Sequence, residues 1–155
     1  MWLKFLFLTC VIIILGGFAS ISDEMREKLT TLPHNYSQFD VKMSWEVKAV
    51  EGNTVINGVV QNVRYTIMED LEIWVALHDS KGKLLSRAVC FIIPRQLDMG
   101  DAAPFNIKLP MLAYPGSKFI FTYKYSGFDG GGNDGMAGGG SNWMQSFESI
   151  VPVSR

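Results

Sequence analysis

Cysteine and histidine are scarce in this chain. Its 155 residues include two cysteines, Cys10 and Cys90, and two histidines, His34 and His78. Cys10 lies in an N-terminal apolar run, so the folded part has no pair with which to form a disulfide, and its stability must come from a packed core. Two histidines with no second histidine or cysteine nearby in the sequence do not predict a zinc site.

The chain also has little excess charge of either sign. Fourteen Lys and Arg residues stand against fifteen Asp and Glu residues, and the basic ones are scattered singly. A basic surface for nucleic acid is therefore not expected. No G-x-S-x-G motif for a nucleophilic serine occurs either. We predict no nucleic-acid partner, no cofactor, no catalytic residue and no enzymatic activity.

The first feature that is present is a hydrophobic start. Lys4 precedes an apolar run, and Gly17 and Ala19 then stand at the −3 and −1 positions of a cleavage site, a pattern typical of a secretory signal peptide. The alternative is an uncleaved anchor, because residues 5–22 carry no charge and would span about 27 Å as a helix. Both alternatives for residues 1–22 place the rest of the chain outside the cytoplasm. It is expected in the periplasm, or anchored in the inner membrane and facing the periplasm.

The hydrophobic period changes along the remaining chain. Residues 23–38 have Met25, Leu29 and Leu32 on one helical face and Pro33 after them, so they predict a short helical linker. From Phe39 onward the period is two, as in "VKMSWEVKAV" and "SKFIFTYKYSG". About seven such runs, separated by Gly, Pro, Asn and Asp turns, predict an all-β domain over residues 39–155, an antiparallel two-sheet β-sandwich.

The centre of the chain resembles a known family. The run Gly58, Val59, Val60 and Asn62, the turn Asp79-x-x-Gly82, and Gly100 followed by Phe105 are similar to the FxLYD family of bacterial exported proteins. The naming motif is altered here to "VALHD" at residues 75–79. The resemblance covers residues 55–107 and implies an immunoglobulin-like sandwich without catalytic residues.

Several of these residues are expected to hold the shape of the domain. Gly58 within a strand predicts a bulge or a close backbone approach. Asn62 and Asp79 are placed to bond turn amides, and Gly82 suits a positive φ. Gly100 and Phe105 carry structural roles that only the resemblance implies.

A glycine-rich stretch, "DGGGNDGMAGGGSN" at residues 129–142, contains seven glycines. It lacks the following helix that a dinucleotide loop requires, and it contains no Lys or Arg to attract phosphate. Weak calcium candidates are Asp129, Asn133 and Asp134, although the spacing is not that of an EF-hand. The stretch is predicted mainly as a connection between the last two strands.

The functional prediction follows from these features. Tyr123, Tyr125, Trp143 and Phe147 flank the glycine-rich stretch, and any of them that are exposed would suit protein or glycan contact. We predict a non-catalytic extracytoplasmic module that binds an unknown protein partner, attached to the membrane if the N-terminal segment is not cleaved. The alternative is a module that binds calcium or a glycan through residues 129–142 and their aromatic neighbours.

Overall fold

A computed structural model of the chain describes residues 23–128 and 140–151. The predicted leader, residues 1–22, and the calcium candidates Asp129, Asn133 and Asp134 lie outside these ranges. Residues 23–31 are helical. The strands that follow are β1 (His34–Ser37), β2 (Val41–Val50), β3 (Asn53–Asn62), β4 (Ile67–His78), β5 (Leu84–Phe91), β6 (Gln96–Leu97), β7 (Ala102–Leu109), β8 (Lys118–Phe128) and β9 (Ser141–Ile150).

The strands form two antiparallel sheets. Sheet I has the order β1-β2-β3-β7, and sheet II has the order β5-β4-β8-β9, with β6 paired to the start of β4. The predicted all-β, two-sheet architecture is confirmed. The strand count of about seven was wrong, because the described ranges contain nine strands. The two additional strands, β1 and β6, have four and two residues, too few to display an alternating pattern.

Strand β1 falls within the range predicted as a helical linker. Only residues 23–31 of that range are helical, and His34 to Ser37 pair with Lys42 to Trp45 of β2. Sheet I therefore begins at His34, before the predicted domain boundary at residue 39. Pro33 ends the helical pattern, as expected for a residue without a backbone N–H.

The core lies between the two sheets. Alternate side chains of each long strand point inward, as the period of two requires. Strand β8 contributes four aromatic rings that are almost fully buried, namely Phe119, Phe121, Tyr123 and Tyr125. Opposite them in sheet I lie Val41, Met43, Trp45, Ile56, Val60, Ile107 and Leu109.

The connections gather at two ends of the sandwich. Those between β1 and β2, between β3 and β4, and between β8 and β9 lie at one end, because consecutive strands are antiparallel. The connections between β2 and β3, β4 and β5, and β7 and β8 lie at the other end. The first end carries residues 38–40 and 63–66, together with the end of β8 and the start of β9.

The helical segment 23–31 packs on the outer face of sheet I. Met25 is buried there, and the Ser44 hydroxyl donates a hydrogen bond of 2.7 Å to the Leu29 carbonyl. This carbonyl belongs to the last turn of the helix, where carbonyls lack a partner within the helix. Among the described residues, no helix is long and apolar enough to span a membrane.

Candidate interaction site

Four large side chains lie at the first end of the sandwich, three on its loops and one near the start of β9, and we call this group the aromatic end. It consists of Phe39, Arg64, Tyr65 and Trp143. The Arg64 guanidinium carbon lies 4.2 Å from the centroid of the Trp143 ring and 5.7 Å from that of Phe39. The Phe39 ring meets Trp143 edge-on at 6.0 Å. Such cation–π and edge-to-face contacts fix the relative positions of the rings.

The aromatic end is exposed to solvent at two of its members. Phe39 is 64% exposed and Tyr65 is 90% exposed, whereas Arg64 and Trp143 are half-buried. The exposed Phe39 ring and the Arg64 guanidinium stacked on Trp143 form a surface that is both apolar and cationic, and the exposed Tyr65 follows Arg64 in the same loop. The arrangement suits contact with another molecule.

A buried polar network lies beneath the aromatic end. The carboxylate of Asp40, which is 2% exposed, accepts hydrogen bonds from the Tyr123 hydroxyl at 2.9 Å and the Tyr125 hydroxyl at 3.0 Å. Each carboxylate oxygen thus has a donor, which offsets the cost of burying it. The network joins the β1–β2 connection to strand β8.

Both tyrosines hold their protons more tightly than a phenol in water. Burial, followed by the hydrogen bond to Asp40, raises the pKa of Tyr123 well above its usual range. Burial also raises the pKa of Tyr125 to about 12, although the neighbouring Arg64 acts in the opposite direction. The phenols are therefore donors to Asp40 throughout the physiological pH range.

Asn62 fixes the loop that carries Arg64 and Tyr65. Its buried amide donates to the carbonyls of Thr66 at 2.9 Å and Leu97 at 3.0 Å, and its side-chain oxygen accepts from the Arg64 amide at 2.8 Å. The side chain bonds the next turn, the role for which the sequence singled it out. It also ties β3 to β6.

The other residues that were predicted to have structural roles lie outside the aromatic end. Asp79 Oδ1 accepts from the amides of Lys81 and Lys83 in the turn of Gly82, whose φ is +82°. Gly100 has φ +89° in the turn before β7. Phe105 is buried in the core, next to Gly58. None of these five positions contributes to the surface defined above.

The end of β8 lies next to the aromatic end. Gly127 lies against Trp143: a Cβ at Gly127 would stand 3.3 Å from the indole nitrogen. Gly140, just before β9, lies close to the Gly127 carbonyl, from which a Cβ at Gly140 would stand 3.4 Å. Among residues 23–128 and 140–151, no three His, Cys, Asp or Glu side chains are grouped to hold a metal ion.

The sequence anticipated only part of this site. It proposed Tyr123, Tyr125, Trp143 and Phe147 as candidates; the first two are buried and the last two are half-buried. The exposed rings, Phe39 and Tyr65, come from the other loops. The sequence signal that could have identified them is an aromatic residue next to an acid or an arginine in a loop, as in "FD" and "RY". The sequence alone does not show that these two loops lie at the same end of the sandwich.

Two shallower surfaces lie elsewhere on the domain. A cleft of about 570 Å³ opens on the outer face of sheet I, between the helical segment and the edge formed by β5 and β7, with Leu32, Phe91, Ile93 and Phe105 among its lining residues. A groove of about 390 Å³ crosses the outer face of sheet II beside Trp74 and Met144.

No family model and no curated protein matches the sequence. Among solved structures, the chain is similar to the GAE domain of GGA2p from Saccharomyces cerevisiae, at 10% identity over 79% of this chain and 100% of that chain, with a TM-score of 0.49. It is similar to the yeast GGA1 GAE domain at 11% identity over 77% of this chain and 98% of that chain, with a TM-score of 0.49. The chain is also similar to β-glucuronidase 2 of Bacteroides uniformis, at 14% identity over 72% of this chain and 13% of that chain, with a TM-score of 0.37. Similarities of this size carry no argument about what this chain binds or does.

Proposed function

We propose that this chain is a non-catalytic, immunoglobulin-like β-sandwich module of the FxLYD type, which acts outside the cytoplasm and binds a partner protein through its aromatic end. The observation that carries the proposal is the packing of Phe39, Arg64 and Trp143 at one end of the sandwich, with the exposed Tyr65 next to Arg64 in the same loop. Tyrosine, tryptophan and arginine are the residue types enriched at the energetic centres of protein interfaces.

The order of the strands supports the immunoglobulin-like assignment. Strands β2, β3 and β7 are neighbours in sheet I, and β4, β8 and β9 are neighbours in sheet II. In chain order they correspond to strands A, B and E of one immunoglobulin sheet and C, F and G of the other. The aromatic end then consists of the segment that leads into strand A, the B–C loop and the first part of strand G.

The state of the polar groups supports a non-catalytic role. A general base needs a lone pair that faces the substrate, but both oxygens of the buried Asp40 accept hydrogen bonds from tyrosines. The Arg64 guanidinium rests on an indole ring. These contacts hold the surface in one shape, which lowers the entropy that binding would otherwise cost.

The location outside the cytoplasm rests on residues 1–22. A charged residue, an apolar run and small residues at the −3 and −1 positions are the parts of an export signal. Mass spectrometry of the mature N-terminus tests this part of the proposal. A chain that starts at residue 20 supports cleavage, an intact chain in the membrane fraction supports an anchor, and an intact chain in the cytosol contradicts both.

Site-specific photo-crosslinking in intact cells tests the binding surface. A photoreactive phenylalanine analogue replaces Tyr65 in one variant and Tyr114 in a second. Both tyrosines are exposed, and Tyr114 lies at the opposite end of the sandwich. We expect a discrete adduct with one partner protein from position 65 and none from position 114.

A second substitution connects the adduct to the proposed surface. Phe39→Ala removes an exposed ring from the aromatic end and leaves the core intact, so the adduct from position 65 should weaken at least tenfold. An adduct that forms equally from position 114, or that is indifferent to Phe39→Ala, contradicts the proposal.

A glycan is the second candidate ligand for the same surface. The 90% exposure of the Tyr65 side chain favours it, because an exposed aromatic face can stack on a sugar ring. Quenching of tryptophan fluorescence by soluble envelope glycans distinguishes this candidate, since Trp143 lies in the surface. Quenching that is lost in Tyr65→Ala supports the glycan as the ligand. Unchanged fluorescence in the presence of glycans supports the partner protein instead.

A further inference from the structure

The two sheets present four strand edges within the described ranges. Sheet I ends at β1 and β7, and sheet II ends at β5 and β9. An edge strand carries a row of unpaired N–H and C=O groups, which form a template for another strand unless the sequence prevents it.

Three of these edges carry protective features. Strand β1 has only four residues. Strand β7 contains Pro104 and Lys108, both on its outer face, and proline and lysine are the residues that discourage edge pairing. Strand β9 is mostly polar and includes Glu148, which forms an ion pair with Lys118.

Strand β5 has none of these features. Its sequence "LLSRAVCF" contains no proline and no lysine, and Arg87 is its one charged residue. Leu84 at its start is 47% exposed, Phe91 at its end is 64% exposed, and Ile93 just beyond is 79% exposed. It pairs with β4 on one side, and its other side pairs with no described strand. The pairing of β5 with β4 shifts register between Leu84 and Ser86, so the regular part of the edge runs from Ser86 to Phe91. This mainly apolar part is a predicted pairing site.

The backbone N–H and C=O groups along this edge can pair with another extended strand. We propose that this strand is β5 of a second copy of the chain. The two strands run antiparallel about a two-fold axis and join two copies of sheet II into one continuous sheet. A two-fold arrangement uses both free edges and closes after two copies, which avoids open-ended assembly.

The sequence of β5 fits this self-pairing in one register. Residues that lie directly opposite each other in an antiparallel pair point to the same face of the sheet, and side chains alternate between the faces along each strand. The two-fold axis between two copies of β5 must therefore pass through a residue position and not between two residues. An axis at Arg87 would place two guanidinium groups opposite each other, which is unfavourable. An axis at Ala88 places Arg87 opposite Val89 of the second copy and keeps the pairing within the regular part of the strand, from Ser86 to Cys90.

The charges at the two ends of β5 are complementary in this arrangement. The turn before β5 carries the exposed Lys81 and Lys83 with Asp79, whereas Glu69, Asp70, Glu72 and Arg95 surround its far end. The first group has a formal charge of 2 − 1 = +1, and the second has 1 − 3 = −2. Antiparallel pairing brings the positive end of each copy to the negative end of the other, which favours this orientation.

Disulfide trapping of the full chain in cells tests both the surface and the register. In a chain with Cys10→Ser and Cys90→Ser, the double substitution Arg87→Cys and Val89→Cys places two cysteine pairs across the axis. Asn106→Cys and Lys108→Cys on the outer face of β7 provide a control with the same spacing. We expect a covalent dimer on a non-reducing gel from the β5 pair and none from the β7 pair.

Sedimentation equilibrium of the full chain in mild detergent measures the strength of the association. Because an edge contact is small, we expect a dissociation constant on the order of 10 μM. Val89→Lys should raise it at least tenfold by placing lysine beside the axis. Met144→Lys, on the edge strand β9 where the native side chain is 71% exposed, should leave it unchanged.

The outcomes separate clearly. A β5 disulfide together with a specific effect of Val89→Lys supports the proposal. A monomer at 100 μM, a β7 disulfide as strong as the β5 one, or equal effects of the two lysines overturns it. None of these results bears on the aromatic end, so the proposed function stands or falls separately.

Discussion

The ring of Phe105 occupies the space that a side chain at position 58 would need. A Cβ built on Gly58 would lie 2.4 Å from Phe105 Cζ and 2.6 Å from the Ser44 carbonyl oxygen. The second contact is with backbone, so a rotation of the phenylalanine cannot relieve it. Glycine at position 58 allows sheet I to pack a large ring directly on its own backbone.

Gly58→Ala should therefore destabilise the domain. The overpacked contact is expected to lower the free energy of unfolding by about 2–3 kcal/mol, measured by urea denaturation. Gly140→Ala is the matched control, because a Cβ there would lie 3.4 Å from its nearest neighbour. The control should change the stability by less than about 0.5 kcal/mol. Equal effects of the two substitutions would show that the Phe105 contact is absent.

The buried phenol of Tyr125 predicts a pH dependence of stability. Its pKa is about 12 in the folded protein and 10.0 in an unperturbed tyrosine, so the folded state keeps this proton to higher pH than the unfolded state. The resulting stabilisation is complete below pH 10 and is lost as the pH rises through 12. It amounts to about 3 kcal/mol.

Tyr125→Phe isolates this contribution. The substitution leaves one oxygen of Asp40 without a donor and should cost about 1–3 kcal/mol at neutral pH. Between pH 10 and 12, the free energy of unfolding of the variant should fall less steeply than that of the wild-type protein. Parallel curves over this range would mean that the hydroxyl of Tyr125 is not held as described.

At the scale of the element, the helical segment 23–31 depends on sheet I. Nine residues are too few for a stable isolated helix in water, so the segment needs its packing on the sheet. Met25 provides apolar contact, and Ser44, which is 2% exposed, satisfies the Leu29 carbonyl.

Ser44→Ala should loosen this segment selectively. The loss of the hydrogen bond is expected to cost about 1–2 kcal/mol, and the amides of the last helical turn should exchange with deuterium faster than in the wild-type protein. Amides of β4 and β8 should be affected much less. Ser37→Ala, at an exposed position of β1, serves as the control. Unchanged exchange in the segment would contradict the docking of the helix on sheet I.

The long strands were predictable and the short ones were not, for a physical reason. Strands such as β2 and β8 bury one face, which imposes alternation on ten or eleven residues. Strand β1 instead depends on contacts between distant residues: the ring of Tyr36 stacks on Phe147 with centroids 3.7 Å apart. Nothing in "HNYS" itself encodes that partner.

At the scale of the whole molecule, the site depends on the meeting of loops that are far apart in the chain. Asp40 contacts tyrosines more than eighty positions away, and Arg64 rests on Trp143. The sequence could identify the turn residues Asn62 and Asp79, because each bonds residues close to it in the chain. It could not identify Phe39, Arg64 and Tyr65 as one surface, because only the folding of two sheets brings them together.

The molecule as a whole offers two separate faces for association. The aromatic end lies on loops, and the β5 edge lies along one side of sheet II. If both are used, a two-fold dimer would present two aromatic ends and would bind a multivalent partner with an avidity greater than that of either site alone. The β5 contact is expected to be the weaker one, since it involves a single strand.

Hydrogen–deuterium exchange of the chain, alone and with the partner that is crosslinked from position 65, tests the central claim most directly. The account predicts that the partner slows exchange in residues 38–40, 63–66 and 141–144, and leaves the turns at the opposite end of the sandwich unchanged. Protection confined to the outer faces of the sheets or to the turn at residues 110–117, with none at the aromatic end, would contradict it.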